Sequence, residues 1–306
     1  MISKSVSVAS KVNIHTWQSK KTNGEKIAMM TGYDFPTAAA LDRSGIDGIL
    51  VGDSLGMVVL GYDNTLPVTM QDMLHHCSAV ARGASRALLV GDLPFMSYQT
   101  SIAEAVRNAG RLLQKGGMDA VKLEGGRERA TTVRTIVAAG IPVMGHIGLT
   151  PQSIHQLGGW KTQGRSTVSA RRMLENALIL EDAGCFSIVL EAIPAELGQL
   201  ITERLIIPTI SVGAGMGCDG QLLVSHDILG LFDRFMPRFA KKYADIFSQM
   251  QQVFHEYIDD VKAQRFPAPE HTCSMDPQTY SALVSEIEQL EAELESEDNF
   301  TRTPQR

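Results

Sequence analysis

Residues 87–126 read ALLVGDLPFMSYQTSIAEAVRNAGRLLQKGGMDAVKLEGG and contain the repeating unit of this chain. A short apolar run, ALLVGDLP, precedes a segment with apolar residues at spacings of three and four, and a second apolar run, AVKLEGG, follows. Nearly continuous apolar runs are typical of strands that are buried on both faces, as in parallel sheets. The intervening segment ends near a glycine, which is a common helix stop. The stretch therefore predicts a strand, a helix and a second strand.

The same alternation extends over most of the chain. Helix-like segments separate most of the eight apolar runs, which occupy residues 26–34, 48–54, 87–94, 120–126, 141–149, 187–193, 207–215 and 221–229. Eight strands that alternate with helices fit an α/β fold, a single (β/α)8 TIM barrel of about 250 residues. A doubly wound open sheet is the alternative, but the first run is not followed by the GxGxxG turn of that fold.

Composition excludes several classes of protein. The 306 residues are 44% hydrophobic and 20% charged, which is typical of a globular chain. The net charge of -6 is concentrated in residues 281–306, which hold seven acidic and two basic groups, so the remainder is nearly neutral. We therefore expect no binding to nucleic acid or to a membrane surface. The four cysteines form no CxxC pair, and no signal peptide is apparent, so we expect a cytoplasmic protein without disulfides.

The C-terminal part of the chain differs from the repeating region. From about Arg238 the sequence predicts a long helix, which the prolines of FPAPEHT (266–272) end. We predict a barrel domain over residues 1–273 that includes these C-terminal helices. Residues 274–306 form an acidic tail, for which the sequence favours a solvated helix or a flexible segment, with an interaction element as the lesser alternative.

Three acidic residues follow three consecutive predicted strands: Asp53, Asp92 and Glu124. Because the carboxyl ends of barrel strands face the active site, we expect these groups to converge. Carboxylate oxygens suit a hard cation such as Mg²⁺, which needs few protein ligands. A single aspartate after a strand is as often a helix N-cap, but three in succession favour a metal site.

Lys122 lies two residues before Glu124, so both side chains share one face of the strand. An ammonium beside a metal-binding carboxylate can neutralise an oxyanion that develops during a reaction. A structural ion pair is the plainer alternative, and a Schiff-base lysine is a third.

Further candidates lie at the ends of later strands. Glu191 follows an apolar strand and is a candidate general base, with a salt bridge as the alternative. His146 is equally a hydrogen-bond partner of a substrate or a satisfied core residue. The glycine-rich run at 211–215 allows close approach of a ligand to the backbone, although simple turn chemistry explains it better. His226 and Asp227, at the end of the eighth run, are weaker candidates or helix caps.

Longer motifs give a more specific indication. The sequence resembles the ketopantoate hydroxymethyltransferase family over roughly residues 10–273. The motifs that carry the resemblance occur in the expected order and include GDSLGMVVLGYDNTLPVT (52–69), GDLPFMSYQ (91–99), AVKLEGG (120–126), PVMGHIGLTPQS (142–153), GGWKTQGR (158–165), VLEAIP (189–194) and IPTISVGAGMGCDGQLLVSHDILG (207–230).

The resemblance implies a complete reaction. A hydroxymethyl group, formed from the one-carbon unit of 5,10-methylenetetrahydrofolate and water, would pass to 3-methyl-2-oxobutanoate and give 2-dehydropantoate, in pantothenate biosynthesis. The family binds Mg²⁺ and is typically a cytoplasmic decamer, so the resemblance implies a homo-oligomer.

The resemblance also assigns residues by position. The magnesium site would comprise Asp53, Asp92 and Glu124, directly or through water, and Glu191 would accept the proton. The oxo acid would contact Asp53, Ser54, Asp92 and Lys122, and His146 joins this set as a hydrogen-bond candidate.

Two departures from the family pattern and two rival functions accompany this prediction. Ser211 stands where the family more often has glycine, and Trp160 replaces a common tyrosine. A lyase or mutase related to isocitrate lyase is the nearest rival, but such enzymes usually offer a catalytic cysteine, and Cys218 lacks the surrounding motif. A non-catalytic barrel that binds oxo acids is the second rival, and the intact acid and base groups argue against it.

Overall fold

The computed structural model describes residues 10–301, in which parallel strands close into a barrel in chain order, with the last strand paired to the first. The predicted TIM barrel is therefore confirmed, and the open-sheet alternative is wrong. The strands are β1 Ile27–Thr31, β2 Gly48–Val51, β3 Leu88–Asp92, β4 Ala120–Glu124, β5 Val143–Gly148, β6 Ser187–Glu191, β7 Thr209–Val212 and β8 Gly220–Leu223.

Helices connect the strands and continue beyond them. The longer ones begin at side-chain caps that the sequence supplies: Thr69 accepts a hydrogen bond from Asp72 N, and Ser101 accepts one from Glu104 N. The helices are α1 Ile14–Asn23, α2 Phe35–Arg43, α3 Leu55–Val58, α4 Met70–Gly83, α5 Ile102–Gln114, α6 Ala130–Ala138, α7 Ile154–Leu157, α8 Thr167–Asp182, α9 Ala195–Arg204, α10 Ser225–Leu229, α11 Ile246–Lys262 and α12 Pro277–Thr301.

The sheet separates two apolar layers. In β4, Val121 and Leu123 belong to the outer cluster between sheet and helices, whereas Ala120 belongs to the inner cluster within the barrel. Successive side chains of a strand point to opposite faces. Lys122 and Glu124 therefore share the inner face with Ala120, which is how two charged residues of an apolar strand come to face the barrel interior.

Helix α1 packs at the amino-terminal end of the barrel. Trp17 is fully buried within the inner apolar cluster, and its ring lies against Gly48, the first residue of β2. A side chain at position 48 would meet this ring, so glycine is required there. Because the inner apolar cluster fills this end of the barrel, we expect polar chemistry at the opposite end, where the strands finish.

Two details of the predicted elements are wrong. The chain is not helical at Arg238, because the backbone N–H groups of Tyr243 and Ala244 bond to Ile228 O rather than to a preceding turn, and the helix begins at Ile246. The eighth strand ends at Leu223, so His226 and Asp227 lie within α10, which has no side-chain cap.

The chain divides into one compact unit that ends at Phe247 and another that begins at Ser248. The second unit contains α11, in which no residue is buried, and α12. A helix thus occupies 277–301, where the sequence left a solvated helix or a flexible tail open; residues 302–306, like 1–9, fall outside the described part. Among the residues described, no helix has the length and apolarity needed to cross a membrane.

Candidate active site

The carboxyl ends of the strands surround a cavity of about 420 Å³ in the first unit. Every site residue predicted from the sequence lines it, so residues that are 138 positions apart in the chain meet at one place. These residues are Asp53, Ser54, Asp92, Lys122, Glu124, His146 and Glu191.

One side of the cavity holds three buried carboxyl groups. Asp53 N donates a hydrogen bond to Asp92 Oδ2 (3.0 Å). Gln152 connects the other pair: its Nε2 donates to Asp53 Oδ2 (2.8 Å), and its backbone N donates to Glu124 Oε2 (3.0 Å). None of these contacts is a helix N-cap, so the structural alternative for the three acids is wrong.

The crowding of acids in a buried place perturbs their ionisation. Burial raises the pKa of Asp53 well above its usual value, and the neighbouring charges of Asp92 and Glu124 raise it further. Burial also raises the pKa of Asp92, although the charge of Lys122 partly opposes this effect. Three acids thus share one neighbouring lysine, and their mutual repulsion favours protonation of Asp53 and Asp92.

Lys122 lies beside Asp92 because the two residues are paired in register between β3 and β4. Its Nζ is 3.0 Å from Asp92 Oδ1, although that oxygen accepts no well-aligned hydrogen bond. Burial lowers the pKa of Lys122, but the charges of Asp92, Glu124 and Asp53 outweigh burial and raise it. The surrounding acids therefore favour the cationic form of Lys122, which does not favour the role of a Schiff-base lysine.

His146 links the lysine to the candidate base. Its Nδ1 lies 3.3 Å from Lys122 Nζ and 3.5 Å from Glu124 Oε1, and its Nε2 lies 3.2 Å from Glu191 Oε2. Burial and the charge of Lys122 lower the pKa of His146, whereas Glu124 and Glu191 raise it, and the balance raises it to about 9. His146 therefore lies near a carboxylate at each ring nitrogen.

The acid cluster has the chemistry of a magnesium site with few protein ligands. Within residues 10–301, no three His, Cys, Asp or Glu side chains are arranged to hold a metal by themselves. Mg²⁺ is usually held by one or two carboxylates together with waters and substrate oxygens. The crowding of three acids, which a cation would relieve, and the poorly satisfied Asp92 Oδ1 fit such a cation.

Sequence reasoning missed several residues of the site. Gln152 holds Asp53 and Glu124, and Tyr98 Oη donates to Gln152 Oε1 (2.7 Å). Both residues lie in motifs that carry the family resemblance, but glutamine and tyrosine do not by themselves indicate a functional site. Asp227, a weaker candidate from the sequence, lines the cavity, and burial raises its pKa to about 6. Beside it, the segment after α10 adds an aromatic wall formed by Phe232, Phe235 and Phe239.

The two residues that depart from the family pattern lie in a turn and at the cavity. Ser211 Oγ accepts a hydrogen bond from Ala214 N (3.0 Å), so its hydroxyl stabilises the glycine-rich turn. Trp160 is half exposed and lines the cavity. Among the described residues no cysteine lines this cavity, and Cys218 is fully buried elsewhere, so the thiol that the lyase rival requires is not at the site.

Solved structures resemble the fold. The chain superimposes on phosphoenolpyruvate phosphomutase from Streptomyces platensis with a TM-score of 0.56 and 15% identity, over 95% of this chain and 100% of that one. A phosphonopyruvate hydrolase gives a TM-score of 0.57 and 12% identity, over 96% and 99% of the two chains. At such low identity the likeness shows a shared barrel architecture alone.

Sequence comparison is more specific. A family model of ketopantoate hydroxymethyltransferase matches residues 11–269. The 3-methyl-2-oxobutanoate hydroxymethyltransferase of Syntrophus aciditrophicus is 56% identical over 262 residues, which cover 86% of this chain and 96% of that protein. The enzyme of the same name from Syntrophotalea carbinolica is 57% identical over 257 residues, 84% and 96% of the two chains. The chain therefore belongs to the ketopantoate hydroxymethyltransferase family.

Proposed function

We propose that this enzyme transfers a hydroxymethyl group from 5,10-methylenetetrahydrofolate to 3-methyl-2-oxobutanoate, giving 2-dehydropantoate for pantothenate synthesis. The observation that carries the proposal is that a candidate base and a cation line the same cavity and are linked through one histidine. Glu191 is connected through His146 to Lys122, and Lys122 borders the acid cluster. A base and an oxyanion partner within one cavity are what enolisation of an oxo acid requires.

Glu191 is the proposed proton acceptor. Its Oε2 lies 3.2 Å from His146 Nε2, without a well-aligned hydrogen bond, and the side chain lines the cavity, where it can reach a substrate. The 14% exposure of the side chain reflects its position at the cavity wall. Removal of the C3 proton of 3-methyl-2-oxobutanoate would transfer a proton to the Glu191 carboxylate and leave an enolate. The enolate carbon would bond to the one-carbon unit, both C–N bonds of that unit to the folate would break, and water would supply the hydroxyl group.

Lys122 is the proposed partner of the enolate oxygen. Its charge is fixed by the surrounding acids, so it can stabilise negative charge that develops in the transition state without a proton transfer of its own. Asp53, Asp92 and Glu124 would hold Mg²⁺, directly or through water. When bound, Mg²⁺ would polarise the keto oxygen of the substrate and so acidify the neighbouring C–H bond.

The remainder of the cavity suits the two substrates. Ser54 and Asp53, at the end of β2, lie where the polar end of the oxo acid would bind. Leu50, Val189 and Val212 supply apolar contacts for a branched aliphatic side chain. The aromatic wall and Trp160 offer flat apolar surfaces against which the co-substrate ring can pack.

We further propose a cytoplasmic homo-oligomer, of the decameric type that the family resemblance implies. The second unit supports association, because α11 exposes an apolar stripe at helical spacing. It comprises Met250, Val253, Phe254, Tyr257, Ile258 and Val261. The catalytic barrel domain is proposed to include this helix, with the acidic extension beginning after residue 273.

Hydrogen exchange at C3 of 3-methyl-2-oxobutanoate tests the proposed reaction. The C3 proton signal is followed by NMR in D₂O, with and without Mg²⁺ and the folate co-substrate. We expect loss of the signal that depends on Mg²⁺, and 2-dehydropantoate when the co-substrate is added. If 2-dehydropantoate forms when the co-substrate is present but no exchange occurs when it is absent, deprotonation and carbon–carbon bond formation would have to be concerted. If neither exchange nor product is detected, the proposed function is refuted.

A further inference from the structure

Helix α12 carries an apolar seam outside the region shared with the family. Its apolar residues recur at alternating spacings of three and four, which places them on one stripe of the helix, as at the a and d positions of a heptad repeat. We call this stripe the α12 seam; it comprises Tyr280, Leu283, Ile287, Leu290 and Leu294.

The α12 seam is uncovered. Its five side chains are 59%, 40%, 48%, 59% and 58% exposed, in chain order. An amphipathic helix in a stable fold normally buries such a stripe. The family match ends at residue 269, before α12 begins, so the catalytic reaction does not explain the seam. A contact with something other than the catalytic site is therefore required to account for it.

The charges beside the seam indicate what that contact is. Glu286 precedes Ile287, and Glu291 follows Leu290, so both sides of the seam are acidic. In a parallel pair of α12 helices, Glu286 of one copy would lie near Glu291 of the other, and this repulsion disfavours self-pairing. Residues 272–301 contain no lysine, arginine or histidine that could relieve it.

We propose that the α12 seam is a docking surface for another protein, which presents an amphipathic helix whose apolar stripe is flanked by lysine and arginine. The apolar stripe supplies affinity, as in other interactions between a helix and an apolar surface. The acidic flanks select a basic partner and exclude both acidic helices and a second copy of this chain.

A synthetic helix of about four heptads, with isoleucine and leucine at a and d and lysine at e and g, is the probe. Its binding to the full-length protein is measured by fluorescence anisotropy. A second probe carries glutamate at e and g. The seam variant combines Ile287→Ala and Leu290→Ala. The matched control combines Ser285→Ala and Gln289→Ala, which change the opposite face of the same helix turn and retain its helix-forming tendency.

We expect the lysine-flanked probe to bind the unaltered protein and the control variant alike, and to bind the seam variant at least about tenfold more weakly. The glutamate-flanked probe should not bind. Failure of the lysine-flanked probe to bind, or equal binding of both probes, would overturn the proposal. Sedimentation velocity tests whether a second copy of this chain occupies the seam instead. A smaller assembly in the seam variant than in the control would show such pairing and overturn the proposal.

Discussion

Asp92 and Lys122 are register partners in adjacent strands, and their charged atoms, Oδ1 and Nζ, lie 3.0 Å apart in the barrel interior. Both side chains are almost completely buried. Removing one charge of such a pair leaves the other unpaired away from water, which typically costs about 3–5 kcal/mol. The pair therefore has a structural role beside the catalytic role proposed for Lys122, and the two roles can be measured separately.

Lys122→Met should lower the free energy of unfolding by about 3 kcal/mol at pH 8 in a metal-free buffer, since Asp92 loses its counter-ion. Urea unfolding measures this change. Adding Asp92→Asn to Lys122→Met should recover part of the loss, because the buried charge is then removed. An additive loss in the double variant would contradict direct coupling between the two side chains.

Glu191→Gln should reduce turnover by about 10²–10⁴-fold, because the amide cannot accept the C3 proton. Binding of 3-methyl-2-oxobutanoate, measured by calorimetry, should change little, since the substitution preserves shape. The exposed Glu203→Gln is a control in the same sequence region. Turnover near the level of the unaltered enzyme would exclude Glu191 as the base.

Mg²⁺ should raise the melting temperature of the protein, because a cation relieves repulsion among Asp53, Asp92 and Glu124. At about 100 times its dissociation constant, a ligand of the folded state adds about 2.7 kcal/mol of stability. Asp53→Asn and Gln152→Ala should each reduce the Mg²⁺-dependent shift. Asp63→Asn, a change at a fully exposed side chain, should not. Equal shifts in all variants would place the cation elsewhere.

Asp227→Asn should stabilise the protein in a pH-dependent manner. Burial raises the pKa of Asp227 from 3.8 to about 6, so the folded state disfavours the ionised form. The resulting penalty is absent below pH 3.8, grows as the pH rises through this window and is complete above about 6. One pKa unit corresponds to about 1.4 kcal/mol, so we expect a gain of about 1–3 kcal/mol at pH 8.

The measurement for Asp227 is urea unfolding at pH 8 and near pH 4, with the exposed Asp233→Asn as the control. The unaltered protein and the Asp227→Asn variant should have nearly equal free energies of unfolding at the lower pH. A constant difference at both pH values would assign the effect to packing rather than to the charge.

Gly148→Ala should displace the end of β6 and so disturb Glu191. Gly148 has φ +102°, and a Cβ atom there would approach Glu191 O to 2.1 Å. Gly159 has a similar φ of +106° but open space around its Cβ position, so Gly159→Ala isolates the backbone strain. Turnover of the Gly148 variant should fall well below that of the Gly159 variant. Similar turnover in both would show that β6 adjusts without moving the base.

Much of the fold could be predicted from local patterns. Continuous apolar runs such as ALLVGDLP and AVKLEGG identify buried parallel strands, because a strand covered on both faces has little room for polar residues. The exceptions within such runs, Asp92, Lys122 and Glu124, then indicate the site. The helix predicted from Arg238 was wrong, because its backbone groups bond to the distant Ile228, which no local periodicity reveals.

The sequence by itself determined the barrel, the family and the strand-end acids, because these depend on periodicity, motif order and the shared direction of parallel strands. Tertiary structure decided which groups touch. Strand register placed Lys122 beside Asp92 and His146 beside Glu124, and a loop folded Gln152 between Asp53 and Glu124. Burial raises the pKa of Asp227, and the neighbouring Glu124 and Glu191 raise that of His146. Such properties arise from long-range packing and the exclusion of water, neither of which a local stretch of sequence contains.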